Sequence, residues 1–188
     1  MIEKVKKVLI VDIEATCSSD DSITSELMEI IEIGAIWVTP AGDLLEQFQS
    51  YVRPAVNPLL TLFCTKLTGI AQFQIDQACS WKKVAEEFSD FVERHKDVQS
   101  YWGSWGAYDK NQIERECNKH DTENPLRKIH HENLKANFAK NRKIKQVGMI
   151  TALKIAGLSV EGEHHRAISD ALNIARLLPV SRRLALEK

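Results

Sequence analysis

The sequence predicts a mixed α/β sheet within a single domain, and three observations carry that expectation. Strand-like apolar runs crowd the first third of the chain: Val8 to Val11, then "LMEIIEIGAIWV" from Leu27 to Val38, apolar on both alternating faces apart from Glu29 and Glu32. A helical period follows from Ser80 to His95, with Trp81, Val84, Ala85, Phe88, Phe91 and Val92 on one face. Helical and strand-like segments then alternate to the C-terminus, an order typical of a mixed sheet with helical cover.

Taken in order, the first strand is expected from about Lys4 to Glu14 and the second from Leu27 to Val38. "TPAGD", Thr39 to Asp43, reads as a turn, and "LLEQFQSYVRP" as a returning third strand, giving an antiparallel meander. Ser80 is the expected N-cap of the helix through His95. "DVQSYWGSWG" reads as a strand with its exit loop, with Trp102 and Trp105 expected as strand packing, and "DKNQIERECNKH" as a helix. A fifth strand is expected near Arg127 to His131. Helices are expected near Leu134 to Lys140, Met149 to Ala156 and Ala167 to Leu178, the last stopped by Pro179. "SRRLALEK", 181 to 188, reads as a short helix or a tail.

The chain has 188 residues, 44% hydrophobic and 27% charged, with net charge −1. That size suits one domain, 1–188, with a core from about 4 to 180. The near-neutral balance excludes a global basic field, so nucleic acid would have to be met by a local patch. Leu126 to Lys145 offers one: Arg127, Lys128, Lys135, Lys140, Arg142, Lys143 and Lys145 face a single acid, Glu132. Cys17, Cys64, Cys79 and Cys117 have no zinc-type spacing and are expected as reduced thiols. The apolar stretch before Asp12 is too short for a signal peptide or a membrane span, so a cytoplasmic setting without membrane contact is expected.

"VLIVDIEATC" raises the functional question. Asp12 and Glu14 are two apart on a strand, so they share a face about 7 Å apart, near an apolar core where charge is costly without a partner. Hard divalent cations are the partners that carboxylate oxygens suit. Two further acids stand in telling places. Asp109 follows an aromatic-glycine strand in "SWGAYDK", and Asp170 opens the last helix five residues after His165 in "HHRAISDALNIA".

This order of motifs resembles the DEDDh branch of the 3′-to-5′ exonuclease superfamily. "DIEATC", "EIIEIGAIWV", "YVRP", "FCTKLTGI", "SWGAYD", "NLK" and "HHRAISDALNIA" are similar to the histone-messenger 3′-exonucleases and enhancer-of-RNA-interference exoribonucleases, from about Val8 to Leu178. Ala107 and Ser169 stand where the family often has an acid. The resemblance implies a ribonuclease H-like fold, a five-stranded mixed sheet flanked by helices. It also implies an enzyme that removes nucleoside 5′-monophosphates from the 3′ end of RNA with two Mg²⁺ or Mn²⁺ ions, which at about 3.5–4 Å apart can serve in-line phosphodiester hydrolysis. Four carboxylates would balance two dications.

By the same resemblance, Asp12 bridges both metals, Glu14 and Asp170 complete the site of the ion that activates water, and Asp109 supports the second ion. His165 is the general base, placed on the loop before the helix, and Glu14 is catalytic as well as metal-binding. Ala15, Thr16, Met28 and His165 are the implied substrate contacts, Met28 with a base stacking nearby. His164, Glu29 and Glu32 receive no functional role. DNA is the alternative substrate, and a non-catalytic nucleic-acid or protein-binding module the alternative class.

Overall fold

The structure is a computed structural model and describes residues 6–182. Its sheet is built around β1 (Val8–Ala15), which pairs antiparallel with β2 (Ile30–Val38), itself antiparallel with β3 (Leu44–Arg53). The expected meander is therefore present. On its other side β1 pairs parallel with β5 (Tyr101–Ser104), and β5 with β6 (His130–Asn133), the fifth expected strand shifted a few residues on. A two-residue strand, β4 (Cys79–Ser80), joins the outer edge of β3, so the order is β4-β3-β2-β1-β5-β6: five strands plus one short addition.

Two layers of helices cover the sheet. β2 is buried along its whole length, as its apolar character on both faces requires. On one face Leu9, Val11, Ile13, Ile33, Ala35 and Trp37 pack against α3 (Trp81–His95) and α4 (Tyr108–His120). The α3 residues buried there are the six of the helical period, although Ser80 makes no side-chain cap. On the other face Val8, Ile10, Ile36 and Val38 pack against α5 (Leu134–Arg142), α6 (Met149–Ile155) and α7 (Ala167–Arg182). The parity of β1 is therefore fixed. Val8 and Ile10 are core beneath α7, and Asp12 and Glu14 continue the same row past the apolar contact.

Several boundaries differ from the sequence reading. β1 begins at Val8, where pairing with Val38 and Tyr101 begins; Lys6 and Lys7 are outside it, and Lys4 lies outside the described residues. β2 begins at Ile30, after a register shift between Glu14 and Ala15. Two short helices, α1 (Leu62–Thr68) and α2 (Gln72–Asp76), occupy a stretch without expected elements. Pro179 does not stop α7, which runs to Arg182. Proline here has no N–H to give the Ala175 carbonyl four residues earlier, and Gly42, in the turn after β2, sits against that carbonyl and the Pro179 ring. Residues 183–188 of the C-terminal segment lie outside the described residues. The four cysteines are free thiols. Among the described residues no helix is long and apolar enough to cross a membrane.

Candidate active site

The site lies at the carboxyl ends of β1 and β5, and β1 is the strand with an antiparallel neighbour, β2, on one side and a parallel one, β5, on the other. Each acid is brought there by a different device. Asp12 and Glu14 come directly from the β1 face. Asp109 stands in the first turn of α4, immediately after β5, and its Oδ1 accepts the Ile13 amide at 3.2 Å. Asp170 stands in the first turn of α7, which can approach only because Gly34 faces Asp12 across the β1–β2 ladder. A Cβ at Gly34 would lie 2.3 Å from Ala167 C and Ile168 N, inside backbone.

The start of α7 is also clamped electrostatically. Glu32, paired with Glu14 across the ladder, accepts hydrogen bonds from Arg166 Nε and Nη2 at 3.2 Å each and from the Ala167 amide at 3.1 Å. Gln49 and Tyr51 on β3 complete the cage, Gln49 donating to Glu32 and Arg166 to the Tyr51 hydroxyl. His165 precedes this clamp in a left-handed conformation, φ 63°, and its amide donates to Asp170 Oδ2 at 3.1 Å.

The result is an open cleft of about 340 Å³ lined by Asp12, Ile13, Glu14, Asp109, His165 and Asp170 on one side. Trp105, Tyr108, Gly148, Met149, His164 and Ile174 complete it. Carboxylate oxygens of Asp12, Glu14 and Asp170 lie within 4.8 Å of one another. His165 Nδ1 is 4.0 Å from Glu14 Oε1. His164 Nδ1 lies 2.9 and 3.1 Å from the two Asp170 oxygens, and the two imidazole centroids are 3.9 Å apart.

The electrostatics are those of anions without enough cations. Burial, then repulsion from Asp109, Glu14 and Asp170, raises Asp12 well above the usual carboxylate range. Burial and the neighbouring acids push Glu14 up to about 8, against a smaller opposing pull from Arg166. Asp109 rises to about 6, mainly through burial, although the Ile13 amide and the Ser104 hydroxyl moderate it. Burial, then the adjacent His164, lowers His165, which favours the neutral imidazole. The all-oxygen donor set fits hard divalent cations.

The Exonuclease family (RNase_T) pattern matches residues 9–178. The chain belongs to that family. It is 28% identical to ERI1 exoribonuclease 2 of Mus musculus over 90% of this chain, and spans only 27% of that protein. It is 27% identical to the 3′-5′ exonuclease eri1 of Schizosaccharomyces pombe, over 90% of this chain and 66% of that one. Among solved structures, the nuclease domain of 3′hExo, a DEDDh family member bound to rAMP, superposes with a TM-score of 0.85 at 24% identity, covering 98% of this chain and 94% of that one. Cell-death related nuclease 4 gives 0.79 at 21% identity, covering 97% and 65%. The fold is thus the ribonuclease H-like exonuclease fold of this family.

The structure brings Asp12, Glu14, Asp109, His165 and Asp170 together. It does not bring the side chains of Ala15, Thr16 or Met28 into the cleft wall. Thr16 is 1% exposed, and its hydroxyl is taken by the Glu29 amide at 3.0 Å. Met28 adjoins the cleft through the Tyr108 hydroxyl, which donates to its sulfur at 3.4 Å. Sequence reasoning passed over Tyr108, Met149 and His164, and assigned Trp105 to a strand. Trp105 instead lies beyond β5, donates from Nε1 to the Val147 carbonyl at 3.0 Å and lines the cleft. The available signal was "SWGAYD" itself, two aromatic residues leading into an acid after a strand end.

Proposed function

We propose that this domain is a divalent-metal-dependent 3′-to-5′ exoribonuclease acting on single-stranded RNA or short oligonucleotides and releasing nucleoside 5′-monophosphates. The observation that carries the reading is the convergence of four carboxylates from three distant segments beside the His165 imidazole, in a cleft that supplies too few donors for them. Bound Mg²⁺ or Mn²⁺, two ions in this reading, would neutralise the acids, acidify a water and stabilise the departing oxygen.

The chain's own residues divide the remaining work. Asp12, Glu14 and Asp170 hold the cations on the β1 and α7 side, and Asp109, held by the Ile13 amide, serves from the α4 side. His165 takes the proton of the attacking water, a role that a neutral imidazole on a loop beside Glu14 suits. The partly exposed Tyr108 ring with Met28 behind it offers a stacking surface for the terminal base, with the Ala15 backbone at the strand end nearby. Thr16 supports that strand end from beneath rather than touching substrate.

The rest of the RNA would leave along the basic segment. Lys140, Lys143 and Lys145 are exposed at and beyond the end of α5, and the chain then enters the cleft wall at Gly148 and Met149. RNA is favoured over DNA because ERI1 exoribonuclease 2 and 3′-5′ exoribonuclease 1 of Mus musculus, to which the chain is similar, are named as exoribonucleases. A cytoplasmic location without membrane contact belongs to the same proposal.

The test is product analysis with 5′-labelled RNA and matched DNA oligonucleotides, with and without Mg²⁺ or Mn²⁺. A ladder shortening from the 3′ end, formed only with metal and faster on RNA, is expected. Equal or faster loss of DNA would reverse the substrate preference, and no metal-dependent ladder on either would leave the binding-module class.

A further inference from the structure

A second donor set of different chemistry overlaps the first in the cleft, and it adds His164, which the proposed reaction does not use. Nitrogens of His164 and His165 and an oxygen of Asp170 lie within 4.8 Å of one another. His164 is held at this spot, Nδ1 2.9 Å from Asp170 Oδ2, with its ring stacked on that of His165. The backbone beneath both rings is anchored by the bonds of Arg166 and Ala167 to buried Glu32. Two imidazoles and one carboxylate, open to solvent on the remaining side, are the ligand types and number of an open tetrahedral Zn²⁺ site. Mg²⁺ and Mn²⁺ favour oxygen, whereas imidazole suits Zn²⁺ and its neighbours in the first transition row.

The other grouping of a histidine with acids is closed by comparison. Around Glu29, Glu116 and His120, Glu29 already accepts the Ala55, Val56 and Asn57 amides and faces Lys119, and Glu116 accepts the Ile30 amide. Among the described residues no such cation sits between His164, His165 and Asp170, and the set opens onto the cleft.

We infer that His164, His165 and Asp170 form an inhibitory site for Zn²⁺ or a similar borderline ion, mutually exclusive with catalytic metal. The inference rests on the acid set being the catalytic cation site. Both sets draw on Asp170, so an ion bound to the two imidazoles removes a ligand from the carboxylate set. It also occupies His165, the proposed proton acceptor. His164 is what gives the site its second nitrogen, and it adjoins the reacting groups without being required by them.

The test uses the full chain, freed of metal, and reads binding separately from activity. Zn²⁺ affinity is measured by competition with a chromophoric chelator, and coordination by the ligand-field absorption of Co²⁺. The intact protein should bind one Zn²⁺ tightly and give the intense spectrum of a four-coordinate, nitrogen-ligated Co²⁺. His164→Asn should weaken Zn²⁺ at least about tenfold, while Mn²⁺ binding is retained or strengthened. His164→Cys should keep tight Zn²⁺ binding and add a thiolate charge-transfer band, which a merely structural role would not produce. In Mg²⁺-supported RNA hydrolysis, the Zn²⁺ concentration for half-inhibition should rise at least about tenfold in His164→Asn.

Unchanged Zn²⁺ affinity in His164→Asn, or a weak six-coordinate Co²⁺ spectrum in the intact protein, overturns the site. If the intact chain cleaves neither RNA nor DNA, the catalytic reading fails by itself, and the Zn²⁺ and Co²⁺ measurements still decide whether the histidine site exists.

Discussion

The acids of β1 and the acids of β2 are neighbours in the same ladder, and the protein treats them in opposite ways. Glu29 and Glu32 on and before β2 are fully buried, yet each has donors built for it. Three backbone N–H groups and Lys119 serve Glu29; Arg166, the Ala167 amide and Gln49 serve Glu32. Burial alone would raise Glu29, but its amide donors outweigh that and hold it below the usual range. The carboxylates of Asp12 and Glu14, one strand away, accept no hydrogen bond from any described residue and are raised. Buried charge persists where it is paired. The β2 acids have their partners within the chain and act as structural clamps, whereas the β1 acids lack such partners and, under the proposed function, would take theirs from bound cations.

The largest test of this contrast is Asp12→Asn. It should lower turnover on RNA by about 10³-fold, as expected when charge stabilisation at the reacting centre is removed, while the melting temperature of the metal-free protein holds or rises because one repelling anion is gone. A metal-free protein clearly destabilised by the change would mean that Asp12 is structural after all. Arg166→Ala should do the reverse on the β2 side. It leaves Glu32 buried without its cation, a loss of about 3–5 kcal/mol, readable by urea unfolding in the absence of metal. Below these lies Glu29→Gln, which should cost about 1–3 kcal/mol of stability by disturbing the amide cage after β3, with kcat unchanged. A fall in kcat without a fall in stability would move Glu29 to the catalytic side of the comparison.

Much of this contrast was legible in the sequence, but only on one side. Strand parity puts Asp12 and Glu14 on one face, and motif order links them to Asp109, His165 and Asp170. The β2 acids gave no such sign, because their partners are set by tertiary register. Arg166 is 134 positions from Glu32, and the Glu29 amides belong to a loop with no periodicity. Gly34 is likewise silent until β1 and β2 are aligned and α7 is laid across them. Short α1 and α2 escaped notice for a different reason. α1 buries only Cys64 and Thr68 and leaves Leu62 80% exposed, so it has no apolar stripe to read. Thr16 was read as a substrate contact from the family resemblance alone, and what the sequence did not show is that its hydroxyl accepts the Glu29 amide.

The smallest effect, and the most direct reading of unpaired charge, is the pH dependence of stability without metal. Glu14 at about 8 and Asp109 at about 6 hold protons in the folded protein that the unfolded chain releases near pH 4 to 4.5. The native state therefore binds more protons across that window, and stability must fall as pH rises. Their contribution is fully present below about pH 4 and is lost as pH passes through 6 and then 8. Because the buried acids repel one another and titrate as a coupled set, their shifts do not add, and the fall between pH 5 and 8 should be about 1–2 kcal/mol, near 2–4 °C of melting temperature per kcal/mol at this chain length. Millimolar Mn²⁺ should flatten or invert the slope by supplying the missing positive charge, and Asp12→Asn should flatten it without metal. A metal-free melting temperature that rises steadily from pH 5 to 8 would show that the β1 acids already have partners within the protein, and the difference between the two strands would disappear.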